Sequence, residues 1–144
     1  MRLITGHLDY RLGVSPRHVR LFTGNPIVRK DGCLVMGRGA ARQVRDLYPG
    51  IDKAFGERMA SSHRLTFVNW NGQKFGWFQV KHHWADKAQL DLIQESAVLL
   101  DDIARQHSGY TFHLNAPGIG NGQLQWDDVR PLLVSLPDNV VIYR

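Results

Sequence analysis

A single cysteine, Cys33, serves the whole chain, so no internal disulfide can form. A lone thiol inside an apolar run reads as a small buried residue rather than a nucleophile. Its isolation suits a reducing compartment, and the expectation is a cytoplasmic protein. No stretch approaches the roughly 20 apolar residues that a membrane span needs. The opening, MRLITGHLDYR, has neither the apolar core nor the cleavage site of a signal peptide. No membrane partner is therefore expected. Metal-ligand spacing is missing as well. His82 and His83 are adjacent, so on a strand they point to opposite faces, and no other His, Asp or Glu pattern makes a metal site. Neither a metal nor a cofactor is expected. No repeat, low-complexity tract or linker interrupts the chain. No glycine loop ends in the Gly-Lys-Ser/Thr of the triphosphate-binding loop, and none sets GxGxxG in the strand context of dinucleotide folds.

What the chain does carry is ordinary for a globular protein. Its 144 residues suffice for one core, and the expected organisation is one domain, 1–144. The formal charge of +5 favours an anionic partner such as a nucleotide or nucleic acid without choosing between them.

Two glycine loops organise the rest. In GCLVMGRGAARQ, residues 32–43, an apolar run from Cys33 to Met36 meets Gly37 and Gly39, and a helical pattern follows at once. Ala40, Val44, Leu47 and Tyr48 recur on one helical face. Glycines let a backbone approach a ligand, and the first amides of a helix lack internal partners, so such a loop suits an anion. Arg38 adds a donor suited to phosphate. In PGIGNGQLQW, residues 117–126, Gly118, Gly120 and Gly122 fall within five residues, after the apolar run 110–114. Two such loops suit a diphosphate lying across strand ends. Each loop also has a steric reading, as a strand-to-helix turn that simply needs glycine.

The remaining pattern alternates strands and helices, which gives an α/β fold. Strands are expected at 1–5, 18–23, 65–70, 73–80, 110–115 and 140–143. Asn71-Gly72 between two strand-like runs marks a hairpin. Helices are expected at 39–48, 51–60, 87–106 and 126–136, with Pro131 tightening the last. Trp84 reads as core or as a stacking surface, with core preferred.

GRGAARQ (37–43), PGIGNGQLQWDDVRPLL (117–133) and VKHHW (80–84) resemble the macrodomain family, the ADP-ribose-binding fold. The resemblance is to the branch of DNA de-ADP-ribosylating antitoxins, terminal ADP-ribose glycohydrolases and related small phage and bacterial proteins. It runs from about residue 21 to the C-terminus. It implies a three-layer α/β/α sandwich around a mixed, largely parallel sheet, with the ligand cleft at the strand ends. It also implies roles. Backbone amides of Gly118, Ile119, Gly120 and Asn121, with Gly122 in the same loop, hold the diphosphate. Met36, Gly37, Arg38, Gly39 and Ala40 wrap the distal ribose and complete the phosphate cradle. Asn25 and Lys81 stand at its anomeric carbon, and Tyr143 packs on adenine. The chain departs from the pattern twice. His7 stands where relatives place an adenine-binding Asp, leaving Asp9 as a substitute. Gly122 stands where glycohydrolase relatives carry an acid. The function implied is binding of ADP-ribose and its hydrolysis from nucleic acid or protein, by a monomer. A non-catalytic reader or sponge of ADP-ribose or an NAD-derived nucleotide is the alternative. A basic nucleic-acid-binding module without a small ligand is the third reading.

Overall fold

The computed structural model describes residues 1–11 and 15–144. The middle of the expected 6–17 loop lies outside the described residues. Six strands are present: β1 (Arg2–Ile4), β2 (His18–Gly24), β3 (Leu65–Trp70), β4 (Gln73–Gln79), β5 (Thr111–Asn115) and β6 (Val140–Tyr143). They form one sheet in the order β1-β6-β5-β2-β4-β3. Every neighbouring pair is parallel except β3 with β4. That pair is the expected hairpin. Asn71 and Gly72 have φ of 51° and 81°, the positive pair that a two-residue turn needs to match strand twist.

The sheet is buried on both faces, as parallel strands require. Alternation along β2 sends Val19 and Leu21 to one side and Phe22 to the other. On the first side pack α3 (Leu90–Gln106), through Ile93, Ala97 and Leu100, and α4 (Trp126–Val129), through Trp126 and Val129. On the second pack α1 (Gly39–Leu47), through Ala41 and Val44, and α2 (Ile51–Arg58), through Ile51 and Phe55. The result is the expected three-layer α/β/α sandwich with a mixed, largely parallel sheet. No helix among the described residues is long and apolar enough to cross a membrane.

Four local expectations are corrected. Cys33, expected to be buried, is only partly so, and its run, Cys33–Met36, lies outside the sheet. The backbone of the run bonds locally, with Arg29 N–H to the Cys33 carbonyl (2.8 Å) and Val35 N–H to that of Ile27 (2.9 Å). In α1 the buried face is Ala41 and Val44, while Leu47 is exposed. α3 begins at Leu90 rather than Lys87 because Gln89 is extended (φ −122°, ψ 130°), with Ala88 N–H on the Gly122 carbonyl and Gln89 N–H on that of Val80. The helix expected over 126–136 stops at Val129 and continues as a 3-10 turn, Arg130–Leu132. Pro131 has no amide to extend it.

α2 fixes the first glycine loop through close backbone approach. A Cβ on Gly56 would stand 1.9 Å from the Gly32 carbonyl oxygen, and Leu34 N–H donates to the Asp52 carbonyl at 2.9 Å. Gly56→Ala forces helix and loop apart. We expect a loss of about 1–3 kcal/mol, the usual range for overpacking. It should appear as a lower urea midpoint with an unchanged slope; an unchanged midpoint contradicts the close approach.

Candidate functional site

The parallel strands β2, β4 and β5 end at one edge of the sheet, and the segments that leave them enclose a cleft of about 220 Å³. Its floor is tied together by side chains. Asn115, ending β5, donates from Nδ2 to Thr23 Oγ1 (3.0 Å) and accepts the Thr23 amide (3.2 Å). The Tyr10 hydroxyl, which donates to the Leu21 carbonyl (2.7 Å), lies 3.3 Å from Asn115 Oδ1. Asn25 follows β2 and is buried. Its Oδ1 accepts from Ile27 N–H (3.0 Å) and its carbonyl from Trp77 Nε1 (3.2 Å). Asn25 thus shapes the turn before Pro26 and lines the cleft at once.

The first wall is the start of α1. Gly39 has φ of 58° and Arg38 forms no side-chain cap. The first α-helical bond runs from Arg42 N–H to the Arg38 carbonyl (3.2 Å). No acid occupies the first turn, so the helix amides and the positive end of its dipole remain uncompensated beside the cleft. The opposite wall is the loop after β5. Gly118 has φ of 76°, and a Cβ there would stand 2.7 Å from Leu124 Cδ1 and 2.9 Å from Ile93 Cδ1. That glycine lets the loop lie flat on α3. The Ile119 amide leans on the Ala116 carbonyl at 3.4 Å, while those of Gly118, Gly120 and Asn121 donate to no backbone carbonyl among the described residues. The two walls touch. Asn121 Nδ2 lies 3.0 Å from where a Gly39 Cβ would be.

Lys81 stands at the rim, where Val80 N–H bonds the Gly24 carbonyl (3.0 Å) and leads the chain off β4. Lys81 Nζ donates to the Asp86 carbonyl (3.0 Å). Burial holds its pKa below the usual lysine value. The Asp86 carboxylate draws it back up and the Arg38 guanidinium pushes it down. Arg38 and Lys81 are the charged residues of the lining, which contains no carboxylate. Trp84 is not core. It is 51% exposed and lines the cleft, with its ring centroid 4.7 Å from that of His83. The turn 83–86, closed by Asp86 N–H to the His83 carbonyl, carries it outward.

Of the residues expected at the site, Asn25, Gly37, Arg38, Gly39, Ala40, Lys81, Gly118, Ile119, Asn121 and Gly122 converge on the cleft. Three do not line it. The Met36 side chain is buried in the core on the α1/α2 side. Gly120 is the exposed apex of its loop. The Tyr143 hydroxyl is bonded to His113 Nδ1 (2.8 Å), whose Nε2 lies 2.8 Å from His18 Nδ1. Burial pushes His113 down to about 4, with His18 adding to the effect, so the His113 ring is neutral at neutral pH. Asp9 is ion-paired to Arg11 (3.0 Å), which lowers its pKa, and with His7 it lines a separate hollow. The sequence reading missed Thr23 and Asn115, whose one signal is a polar side chain ending a central strand. No cluster of three or more His, Cys, Asp or Glu among the described residues could hold a metal.

No family model matches the chain. Among curated proteins, the DNA ADP-ribosyl glycohydrolases of Mycobacterium tuberculosis and Mycobacterium bovis are 33% identical over 132 residues. The match takes in 81% of this chain and 37% of theirs, so the chain spans little more than a third of these relatives. Among solved structures, the macrodomain of Mycobacterium tuberculosis DarG superposes with a TM-score of 0.78 at 26% identity, covering 98% of this chain and 96% of that one. The macrodomain of Thermus aquaticus DarG gives 0.76 at 20% identity, with 99% and 95% covered. Thermosipho africanus DarTG in complex with ADP-ribose gives 0.73 at 20%, with 87% and 37% covered. By fold, then, the chain is a macrodomain. Within that class it is similar in fold to the DarG macrodomains.

Proposed function

We propose that this macrodomain binds ADP-ribose in the cleft and removes ADP-ribosyl groups from DNA. The observation that carries the reading is the meeting of two glycine loops, one opening α1 and one leaving β5, beside a lysine whose pKa is depressed. The name of the curated relatives supports DNA as the modified molecule. Uncompensated amides from both walls suit a diphosphate, and the absence of a carboxylate from the lining leaves an anion unopposed. Asn25 and Lys81 flank the end of the cleft next to Trp84, where the distal ribose belongs in this reading.

In the reaction, the bond between the anomeric carbon and the modified group breaks, and water supplies the new hydroxyl and the proton for the leaving group. Lys81 is the one side chain on the lining that can lose a proton below the ordinary lysine range, since Arg38 stays charged. Its depressed pKa raises the fraction of neutral amine, the form that acts as base or nucleophile. Trp84, exposed at the rim, offers a flat apolar face to a base attached beyond the ribose. A non-catalytic reader is the second reading, favoured by Gly122 in place of an acid.

Calorimetry tests the binding half. ADP-ribose is expected at a micromolar dissociation constant, roughly 8 kcal/mol. AMP, lacking the second phosphate and the distal ribose, should bind at least about tenfold more weakly, about 1.4 kcal/mol. Equal affinities, or none, overturn the placement of the site.

A further inference from the structure

α3 leaves the far end of the sheet partly uncovered. A trough of about 360 Å³ remains there. Val19, early in β2, lines the trough, whereas Thr23, Gly24 and Asn25 line the cleft. At roughly 3.3 Å per residue the two are about 13–20 Å apart along that strand. The floor of the trough is aromatic. Half-buried Phe67 and Tyr110 lie on buried Phe112, with ring centroids 6.4 Å and 6.5 Å from it, and they are the faces open to a ligand. Its rim carries Arg58, Lys74 and His107, and no carboxylate lines it. Lys74 Nζ donates to Asn69 Oδ1 (3.0 Å). Neither Lys74 nor Arg58 is in a salt bridge among the described residues. On α3 itself, Asp101 is taken by Arg105 and Asp102 by Gln106. A second hollow, of about 380 Å³, shares Arg58 and Phe67 with the first and continues past Ser62, His63 and Thr66, again without a carboxylate. Together they form a groove along β3, the edge strand.

We propose that this groove holds a single strand of DNA, with bases on the aromatic floor and phosphates on Arg58 and Lys74. Aromatic side chains beside a basic track are what sequence-tolerant single-strand binding requires, because every base has a flat face. A nucleic acid satisfies floor and rim together, with a base and a phosphate at every step along the strand. The choice of DNA rests on the reading of the cleft given above. The shape and charge of the groove do not.

The test is fluorescence anisotropy with an unmodified single-stranded DNA oligonucleotide of about 12 nucleotides, within the usual site size, at several salt concentrations. The parent should bind. Reversing both charges, Arg58→Glu with Lys74→Glu, should weaken binding at least tenfold. It should also flatten the salt dependence by roughly 1.4 in log–log slope, about 0.7 for each phosphate no longer neutralised. Tyr110→Ala should weaken binding without changing the slope. Thermal unfolding checks that each variant is folded, and ADP-ribose affinity should match the parent in all of them. Oligonucleotide binding that is absent in the parent, or unmoved by the charge reversal, overturns the groove. The reading of the cleft is judged separately, by ADP-ribose titration.

Discussion

The Gly37→Glu protein is expected to fold as the parent does and to lose ADP-ribose. Gly37 lines the cleft, and a Cβ placed on it meets no atom within 4 Å. Its φ is not in the left-handed region, so a side chain there costs no backbone strain. The position is exposed, and such substitutions usually change stability by no more than about 0.5 kcal/mol. The added carboxylate would enter a lining whose charged residues are Arg38 and Lys81. It would occupy the space, and pair with the Arg38 guanidinium, that a diphosphate needs. We expect affinity to fall by about 100-fold or more, near 2.7 kcal/mol. Saturating ADP-ribose should then no longer raise the melting temperature, whereas it raises that of the parent. Gly37→Ala separates the two causes, since it adds bulk without charge and should retain most of the affinity. A Gly37→Glu protein that is still stabilised by ADP-ribose would place the diphosphate elsewhere.

Lys81→Ala should separate chemistry from binding. The Lys81 side chain lines the same cleft but belongs to neither glycine loop, and it rests on the Asp86 carbonyl. Its removal is expected to leave ADP-ribose affinity within about tenfold, 1.4 kcal/mol or less. Hydrolysis should drop by about a hundredfold or more, the scale for a positioned base or nucleophile. The pH profile carries the same argument. Burial lowers the lysine pKa from 10.5, so the neutral amine gains population as pH rises through a value below 10.5. Activity should climb over that range in the parent, and the climb should be missing in the variant. Lys81→Arg keeps a cation that does not deprotonate, and is expected to be as inactive as Lys81→Ala. Rescue by arginine would assign the lysine an electrostatic role instead.

Legibility in the sequence followed the range of the interactions. Asn71-Gly72 announced the hairpin because its turn is decided by two adjacent residues with positive φ. The onset of α1 at Gly39 and the loop after β5 were legible for the same reason, since glycine spacing and helix periodicity are local. The order β1-β6-β5-β2-β4-β3 was not, because pairs such as β2 with β5 join residues about ninety apart in the chain. At the site, Lys81 and Asn25 were reached through a resemblance of motifs. Asn115 and Thr23 were missed because their bond across the cleft floor exists only once β2 and β5 are paired. Trp84 was assigned to the core on residue type, and the turn at 83–86 carries it outward. The Met36 side chain packs in the core on the α1/α2 side, a placement that residue type and local spacing do not reveal.

The central claim is removal of ADP-ribose from DNA by this cleft, and a time course of product release tests it most directly. The substrate is a single-stranded DNA oligonucleotide carrying one ADP-ribosyl group, incubated with the parent protein and with Lys81→Ala. Free ADP-ribose and unmodified oligonucleotide should accumulate together with the parent, and at a rate at least about a hundredfold lower with the variant. An adduct that stays intact while the parent protein is saturated with it would contradict the account and leave a reader of ADP-ribose.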